Sequence, residues 1–584
     1  MTTEPDELNE TLEERLLDAY SSEDFFGALR AIYISPECER AELSETLVNL
    51  HNNGRIDLVS AFALLTKTDS EFFLIRNLFD NALPHLSSDV LPVAACVVHL
   101  VREAGQDLAA GSTINKYGDF LAADPSRPEE SLPIVEADAD LHSLLPPTLI
   151  AGATVDIDTY IQEALRLIRS EDSLIRVQAV FALGRFPWSK DKTPTEEVYR
   201  ALEEIRDAGQ DDRLLAETAI AAASFLRFDL AQEDRLLDLV NGAINQGAEH
   251  AVSAAARMIA STDTYSCDRL IGTVLPYLKR VQPEHTGTVS QIDYGMYELI
   301  KSGHIDPAID TLGEIIELLG SDLDSEAFQC TFPEIQATSV LLSKVMTRWL
   351  FKGTGALCLA AERLAGSGRR ENLPVEVDPA ELDLSNEASV LYLARKIVGY
   401  LFNNPISATS MLLSTMQQAQ SSSTRKQVAA ILFDPILINY PGEAKRFIDT
   451  NRDSCKQEVA EELAAIDSEL EKYFKTIRSI EDLPELAPPD THREAYMRHS
   501  IREMSESMKK AEQKSALLPF IKRKTILYGS SSIAYVQDPS GDSHRTEVAM
   551  KSHSIEFELP RMLMLDPIGL EYLLITYRLE SRLQ

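Results

Sequence analysis

Cysteine is scarce in this 584-residue chain: six residues (38, 96, 267, 330, 358 and 455), far apart and with no C-x-x-C pair. That spacing argues against a disulfide framework or a structural zinc site, and it fits a reducing compartment, the cytoplasm. Positive charge is also in short supply. Lys and Arg number 56 against 92 Asp and Glu, a formal charge of −36. Such a surface repels phosphate backbones, so nucleic-acid binding would need a concentrated basic patch; protein partners with a basic surface are easier. Long apolar runs are missing too. The most apolar stretch, VLPVAACVVHLV at 90–101, is too short to span a bilayer and reads as a buried helix. The opening MTTEPDELNETLEER is acidic and polar, the opposite of a signal peptide, and no membrane association is expected.

Catalytic signatures are equally sparse. Gly529-Ser530-Ser531-Ser532 lacks the second glycine of a G-x-S-x-G elbow, and Gly353-x-Gly355 lacks the third glycine of a dinucleotide loop. No Walker A, H-E-x-x-H or EF-hand pattern is present. Four histidines fall in the C-terminal tail: His492, His499, His544 and His553. A metal site would need His544 and His553 to meet along with further ligands, and polar strand histidines are the plainer reading. No catalytic residue, cofactor or metal is assigned.

What the chain does have is helical periodicity, to about residue 480. DTYIQEALRLIRS puts Ile161, Ala164, Leu165 and Ile168 on one face. After a short turn, SEDSLIRVQAVFALGRFP puts Ile175, Ala179, Ala182 and Leu183 on one face at i, i+4, i+7 and i+8. The pattern returns 40 residues on, where DDRLLAETAIAAASFL supplies Leu215, Ala219, Ala222 and Ala223. It returns again 36 further, where EHAVSAAARMIA supplies Ala251, Ala255, Met258 and Ile259. EEVYRALEEIRDAG and RLLDLVNGAINQG provide the first helix of each later pair. Two helices per 36–40 residues signal an α-solenoid, and small residues let neighbouring helices approach closely. Punctuation agrees: Gly184, Gly209 and Gly247 fall where helices should end, and Thr193-Pro194-Thr195-Glu196 reads as a capping box. On this phasing Ala216 points outward.

The string Asp172-x-x-Ile175-Arg176-x-x-Ala179-x-x-Ala182-Leu183-Gly184 resembles the second-helix consensus of HEAT repeats, D-x-x-V-R-x-x-A-x-x-A-L-G. The resemblance covers about 155–262. It implies an α-α superhelix of helical hairpins in which Asp172 and Arg176 link successive units. The second unit departs from the pattern, since Ala216 replaces the arginine, which breaks any continuous Asp–Arg ladder. HEAT-like units also occur in bilin lyases and DNA-alkylation glycosylases, so the resemblance fixes no activity.

The rest of the chain divides by pattern. Residues 1–150 read as degenerate helical repeats, 151–480 as the solenoid and 481–490 (around LPELAPPD) as a linker. The segment 366–386, GSGRRENLPVEVDPAELDLSN, breaks the helical rhythm as a long loop, with Arg369 and Arg370 as candidate contacts. Residues 491–524 carry an a/d seam from Met497 to Leu518, which either caps the last repeat or pairs with a second copy as a coiled coil. The basic end of that helix, Lys522, Arg523 and Lys524, sits between helix and sheet as a candidate contact for a phosphate or an acidic partner. Residues 525–584 turn to strand-like alternation and then a final helix, a small antiparallel sheet plus helix. Residues 491–584 hold 14 Lys and Arg against 12 Asp and Glu, so the acidity lies elsewhere.

A mainly α chain of this kind reads first as a non-enzymatic scaffold or adaptor binding protein partners along a helical-repeat surface. Two alternatives stand beside it. One is a nucleic-acid-associated factor acting through the less acidic C-terminal region. The other is an enzyme with a cryptic site in the 366–386 loop or the C-terminal sheet.

Overall fold

The structure is a computed structural model. It describes residues 11–480 apart from 36–39, 68–71, 106–109, 210, 262–267, 321–326 and 367–372. Beyond 480 it describes 498, 501–502, 505–506, 509, 521–527, 531–537, 543–549 and 558–582. The described residues are mainly helical, and the chain divides into two units, Met1–Thr331 and Phe332–Gln584. No described helix is long and apolar enough to cross a membrane.

In the first unit the apolar run becomes the Val90–Ala104 helix, with Val90, Val93, Ala94, Cys96 and Val97 buried. From residue 157 the helices form two layers. The first helices of the hairpins, Ile157–Ile168, Glu196–Ala208, Glu233–Gln246, Asp268–Leu278 and Ile305–Leu319, each pack on the next. The second helices, Ser173–Leu183, Asp212–Phe225, Glu249–Ala260 and Thr286–Lys301, do the same. Small side chains make the second layer. Ala179, Ala182, Ala219, Ala222, Ala251 and Ala255 are all fully buried, as is Leu183, and Ile175 and Leu215 are buried beside them.

Glycine marks the closest approaches. A Cβ on Gly184 would lie 3.0 Å from the Ala221 Cα of the next hairpin, and one on Gly295 would meet Ile259 at 2.5 Å. The hairpin stack therefore runs regularly to Leu319, past the stretch where alanines advertise it. In the Thr286–Lys301 helix the small residue is Gly295, among larger Ile292, Met296 and Leu299.

Two expectations need correction here. Ala216 is not outward: it is 2 % exposed, because Asp212–Phe225 is covered by both neighbours in its layer and by the first-layer helices. The capping box at Thr193–Glu196 does not form. The helix starts at Glu196 with Thr195 at the cap position and no side-chain cap bond, and the Thr195 hydroxyl is buried without a partner among the described residues.

The second unit repeats the hairpin theme. Ser339–Lys352, Glu387–Leu401 and Ser422–Ile431 pack in succession, and Pro405–Gln418 packs on Glu443–Asn451. After residue 520 the backbone forms three antiparallel strands in the order β1-β2-β3: Ile521–Leu527, Ser531–Gln537 and Ser543–Ala549. Lys522, Arg523 and Lys524 thus lie inside β1, not between helix and sheet, with Lys524 paired to Ala534. The last helix, Pro567–Leu579, packs on Glu387–Leu401. Arg395 grips Glu580 in a two-bond fork, both 2.6 Å, and buried Lys396 donates to the Arg578 carbonyl at 2.6 Å.

Candidate peptide-binding groove

The residues that the HEAT-like string singles out have structural roles. Asp172 caps its helix, accepting from the Leu174 and Ile175 amides at 2.7 and 3.3 Å. Its counterpart one unit on, Asp211, accepts from the Ser173 hydroxyl and so ties two units together. Partial burial pushes the Asp211 carboxyl up. Hydrogen bonds from Ser173, Leu214 and Arg213 and the nearby Arg176 charge outweigh this and hold it below the ordinary aspartate range.

Stronger links join one hairpin to the next. The Asp212 carboxylate caps the next second helix, taking the Ala248, His250 and Ala251 amides at 2.6, 2.8 and 3.3 Å. Asp293 does the same for the Cys330 and Thr331 amides, both at 2.8 Å. Along the first layer, Arg235 reaches back to Glu196 and Glu203 at 2.8 and 2.7 Å, Arg206 reaches Asp238 at 2.7 Å, and Arg269 reaches Asp234 at 2.7 Å. Each pair spans one repeat. Carboxylates dominate the outer edges: the Asp234 and Asp268 side chains are 88 % and 90 % exposed.

A different arrangement appears in the second unit, at the loop that breaks the helical rhythm. The Pro405–Gln418 helix, PISATSMLLSTMQQ, carries Ser407, Ser410, Ser414 and Gln418 at spacings of three and four, one stripe along its length. Serine is a middling helix former whose hydroxyl competes for backbone partners, so burial rather than propensity holds this helix. Facing the loop from another side, Ser339–Lys352 carries Ser343 and Thr347 one turn apart.

Between these stripes runs Leu373–Asp378. The Val375 amide donates to Ser410 Oγ at 2.8 Å, Glu376 to Ser343 Oγ at 3.3 Å, Val377 to Ser414 Oγ at 3.0 Å, and Asp378 to Thr347 Oγ1 at 3.0 Å. Two carbonyls are also read: Ser407 Oγ donates to Leu373 at 2.6 Å and Gln418 Nε2 to Val377 at 2.7 Å. Successive amides thus alternate between two helices, the period-two alternation of an extended chain. The registers match for a simple reason. Four residues of helix rise about 6 Å and two residues of strand rise about 6.6 Å, so hydroxyls one turn apart meet every second amide. The Ser410 hydroxyl spends its own proton on the Ser407 carbonyl, 3.0 Å away, which leaves its lone pairs to accept the amide.

Side chains add selectivity. Val375 and Val377 are buried at 2 % and 1 % exposure, while Glu376 between them is exposed. Farther along, Arg348 takes Glu381 in a two-bond fork at 2.9 and 2.7 Å. An open cleft of about 710 Å³ runs along the segment, walled in part by Gln417, Phe447, Asn451, Ser454 and Lys456. The other amide oxygen, Gln418 Oε1, is buried with no partner among the described residues. The serine, threonine and glutamine groups here bind main-chain atoms, and Arg348 binds a carboxylate.

Other residues singled out by the sequence fall elsewhere. Arg369 and Arg370 lie outside the described residues, as do most of the 497–518 seam and His553. Of that seam Ile501 is described; it is helical and exposed. The Gly529–Ser530 turn is outside the described residues too, and His544 sits in β3 opposite Val536. Among the described residues no group of three or more His, Cys, Asp or Glu is placed to hold a metal. Burial pushes the Cys96 and Cys358 thiols up to about 12, which keeps them protonated at neutral pH.

No protein-family model matches the chain, and no curated protein matches it. Solved structures similar to parts of it include a crystal structure of an engineered protein, at 15 % identity and TM-score 0.18, covering 79 % of this chain and 99 % of that one. Another is a circular tandem repeat protein with novel repeat topology, at 12 % identity and TM-score 0.15, covering 80 % of this chain and 95 % of that one.

Proposed function

We propose that the protein is a non-enzymatic scaffold that holds protein partners on its helical-repeat surface. The observation that supports this is the groove in the second unit, where four side-chain hydroxyls accept four consecutive amides of an extended segment. Recognition of that kind takes its affinity from the main chain and its selectivity from pockets for alternate side chains. Carboxylates along the outer edges of the first unit favour partners with a basic surface, and steer them most at low salt.

The test uses full-length protein carrying a photo-crosslinking residue at Gln417, which lines the cleft, and separately at Asp234, which is exposed on the first unit. Irradiation in native extract should yield discrete partner adducts from at least one position, lost when the crosslinker is omitted. Adducts no stronger than those from an unrelated acidic protein, at both positions, would overturn the proposal.

A further inference from the structure

Resting on that reading, we infer that the chain's own Leu373–Glu381 segment stands in for a partner. It occupies the groove in the resting protein and is displaced by an extended segment of another protein that has a β-branched residue, any residue, a β-branched residue, and a carboxylate four positions after the second.

The occupant's chemistry is read from what the groove grips. Four amides and two carbonyls are bound through main-chain atoms, which any extended segment offers. Two side chains are buried, Val375 and Val377, two residues apart on the inward side of the strand. One carboxylate is held, that of Glu381 by Arg348. The resulting pattern is Val-x-Val-x-x-x-Glu, and nothing in it needs to belong to the same polypeptide.

Two further features set this segment apart from an ordinary core strand. Its walls carry hydroxyls for the main chain beside aliphatic Val340 and Leu413, and the adjoining cleft gives a competing chain a route of entry. Gln418 Oε1, buried beside Val377, adds an acceptor that the resident segment does not use. Being tethered, the resident segment competes at a high effective concentration, so a free peptide binds more tightly once the tethered copy is weakened.

The experiment is a fluorescence-anisotropy titration of full-length protein with a labelled synthetic peptide of residues 372–383, NLPVEVDPAELD. Two variants weaken the resident copy by different means. Val375→Asp/Val377→Asp drives both side chains out of their apolar seats. Glu381→Gln loosens the fork to Arg348 at a partly exposed position and leaves the buried valines alone. The peptide should bind the double variant at least tenfold more tightly than wild type and Glu381→Gln several-fold more tightly, and a peptide with both valines changed to Asp should bind neither. Equal binding to wild type and to a double variant of unchanged circular dichroism overturns the inference. If the double variant loses helix, Glu381→Gln decides alone, and no gain there overturns it. Equal binding of the Asp-substituted peptide overturns the motif. No partner is needed for this titration, so its failure is distinct from an empty result in the crosslinking of extract.

Discussion

At the scale of single residues, the first unit is governed by size. Ala219 is fully buried and Ala216 nearly so. A carboxylate at either position would be desolvated without a partner, so Ala219→Asp and Ala216→Asp should each cost several kcal/mol by urea denaturation. Exposed Glu204→Ala in the same hairpin should be nearly silent. Gly184 allows less than one methyl group, since its Cβ would crowd Ala221 at 3.0 Å, and Gly184→Val should cost about 1–3 kcal/mol through overpacking. The alanine face was legible in the sequence because a small residue at every turn serves close helix packing and little else. The burial of Ala216 was not. Helical periodicity marks the face turned to one neighbour, whereas Asp212–Phe225 has neighbours on most of its circumference. A helix buried nearly all round loses the contrast from which phase is read.

At the scale of elements, polar side chains tie one hairpin to the next. Hydrogen bonds from Arg235 hold the Glu196 and Glu203 carboxyls below their ordinary value of 4.5. A depressed carboxyl stabilises the fold at pH above that value, and the contribution is lost as pH falls through the lower folded one. Urea midpoints should therefore drop between pH 7 and pH 3, and Arg235→Met, which removes the cause, should lower the midpoint at pH 7 and shrink the acid-side drop. An unchanged acid-side drop would assign the pH dependence to other carboxyls.

The links themselves were only partly legible. The phasing that sets Ala216 at the arginine position sets Asp212 at the aspartate position, but that Asp212 caps the next unit depends on where the following helix starts. The groove is the clearest omission. The 366–386 stretch read as a loop because it lacks helical periodicity, which fits the described backbone from Leu373 to Asn386 and was silent about its partner. Its signal was present in two pieces: V-E-V alternation in the loop, and serines spaced by three and four residues on a buried helix. Only tertiary structure joins the two.

At the scale of the whole molecule, a charge of −36 bears on association. The 372–383 peptide carries four carboxylates and no basic side chain, so it approaches against a field of its own sign. Its association rate with the Val375→Asp/Val377→Asp protein should rise as salt goes from 20 to 200 mM, because screening removes repulsion that reaches beyond the groove. A partner with a basic body should show the opposite trend. The predominantly helical build was legible at this scale, since periodicity over hundreds of residues outweighs local ambiguity. The division after Thr331 was not, because it falls in the first turn of the Thr331–Ala337 helix, past the acidic GSDLDSE stretch at 320–326.

The most direct measurement is amide hydrogen exchange at Val375, Glu376, Val377 and Asp378, in wild type and in a variant combining Ser343→Ala, Thr347→Val, Ser410→Ala and Ser414→Ala. Each buried amide left without an acceptor loses about 1–3 kcal/mol. Slow exchange of all four amides in wild type, falling by at least tenfold in protection in the variant while the two flanking helices keep theirs, is the predicted result. Exchange as fast as in the free 372–383 peptide, or protection untouched by removal of the hydroxyls, would contradict it.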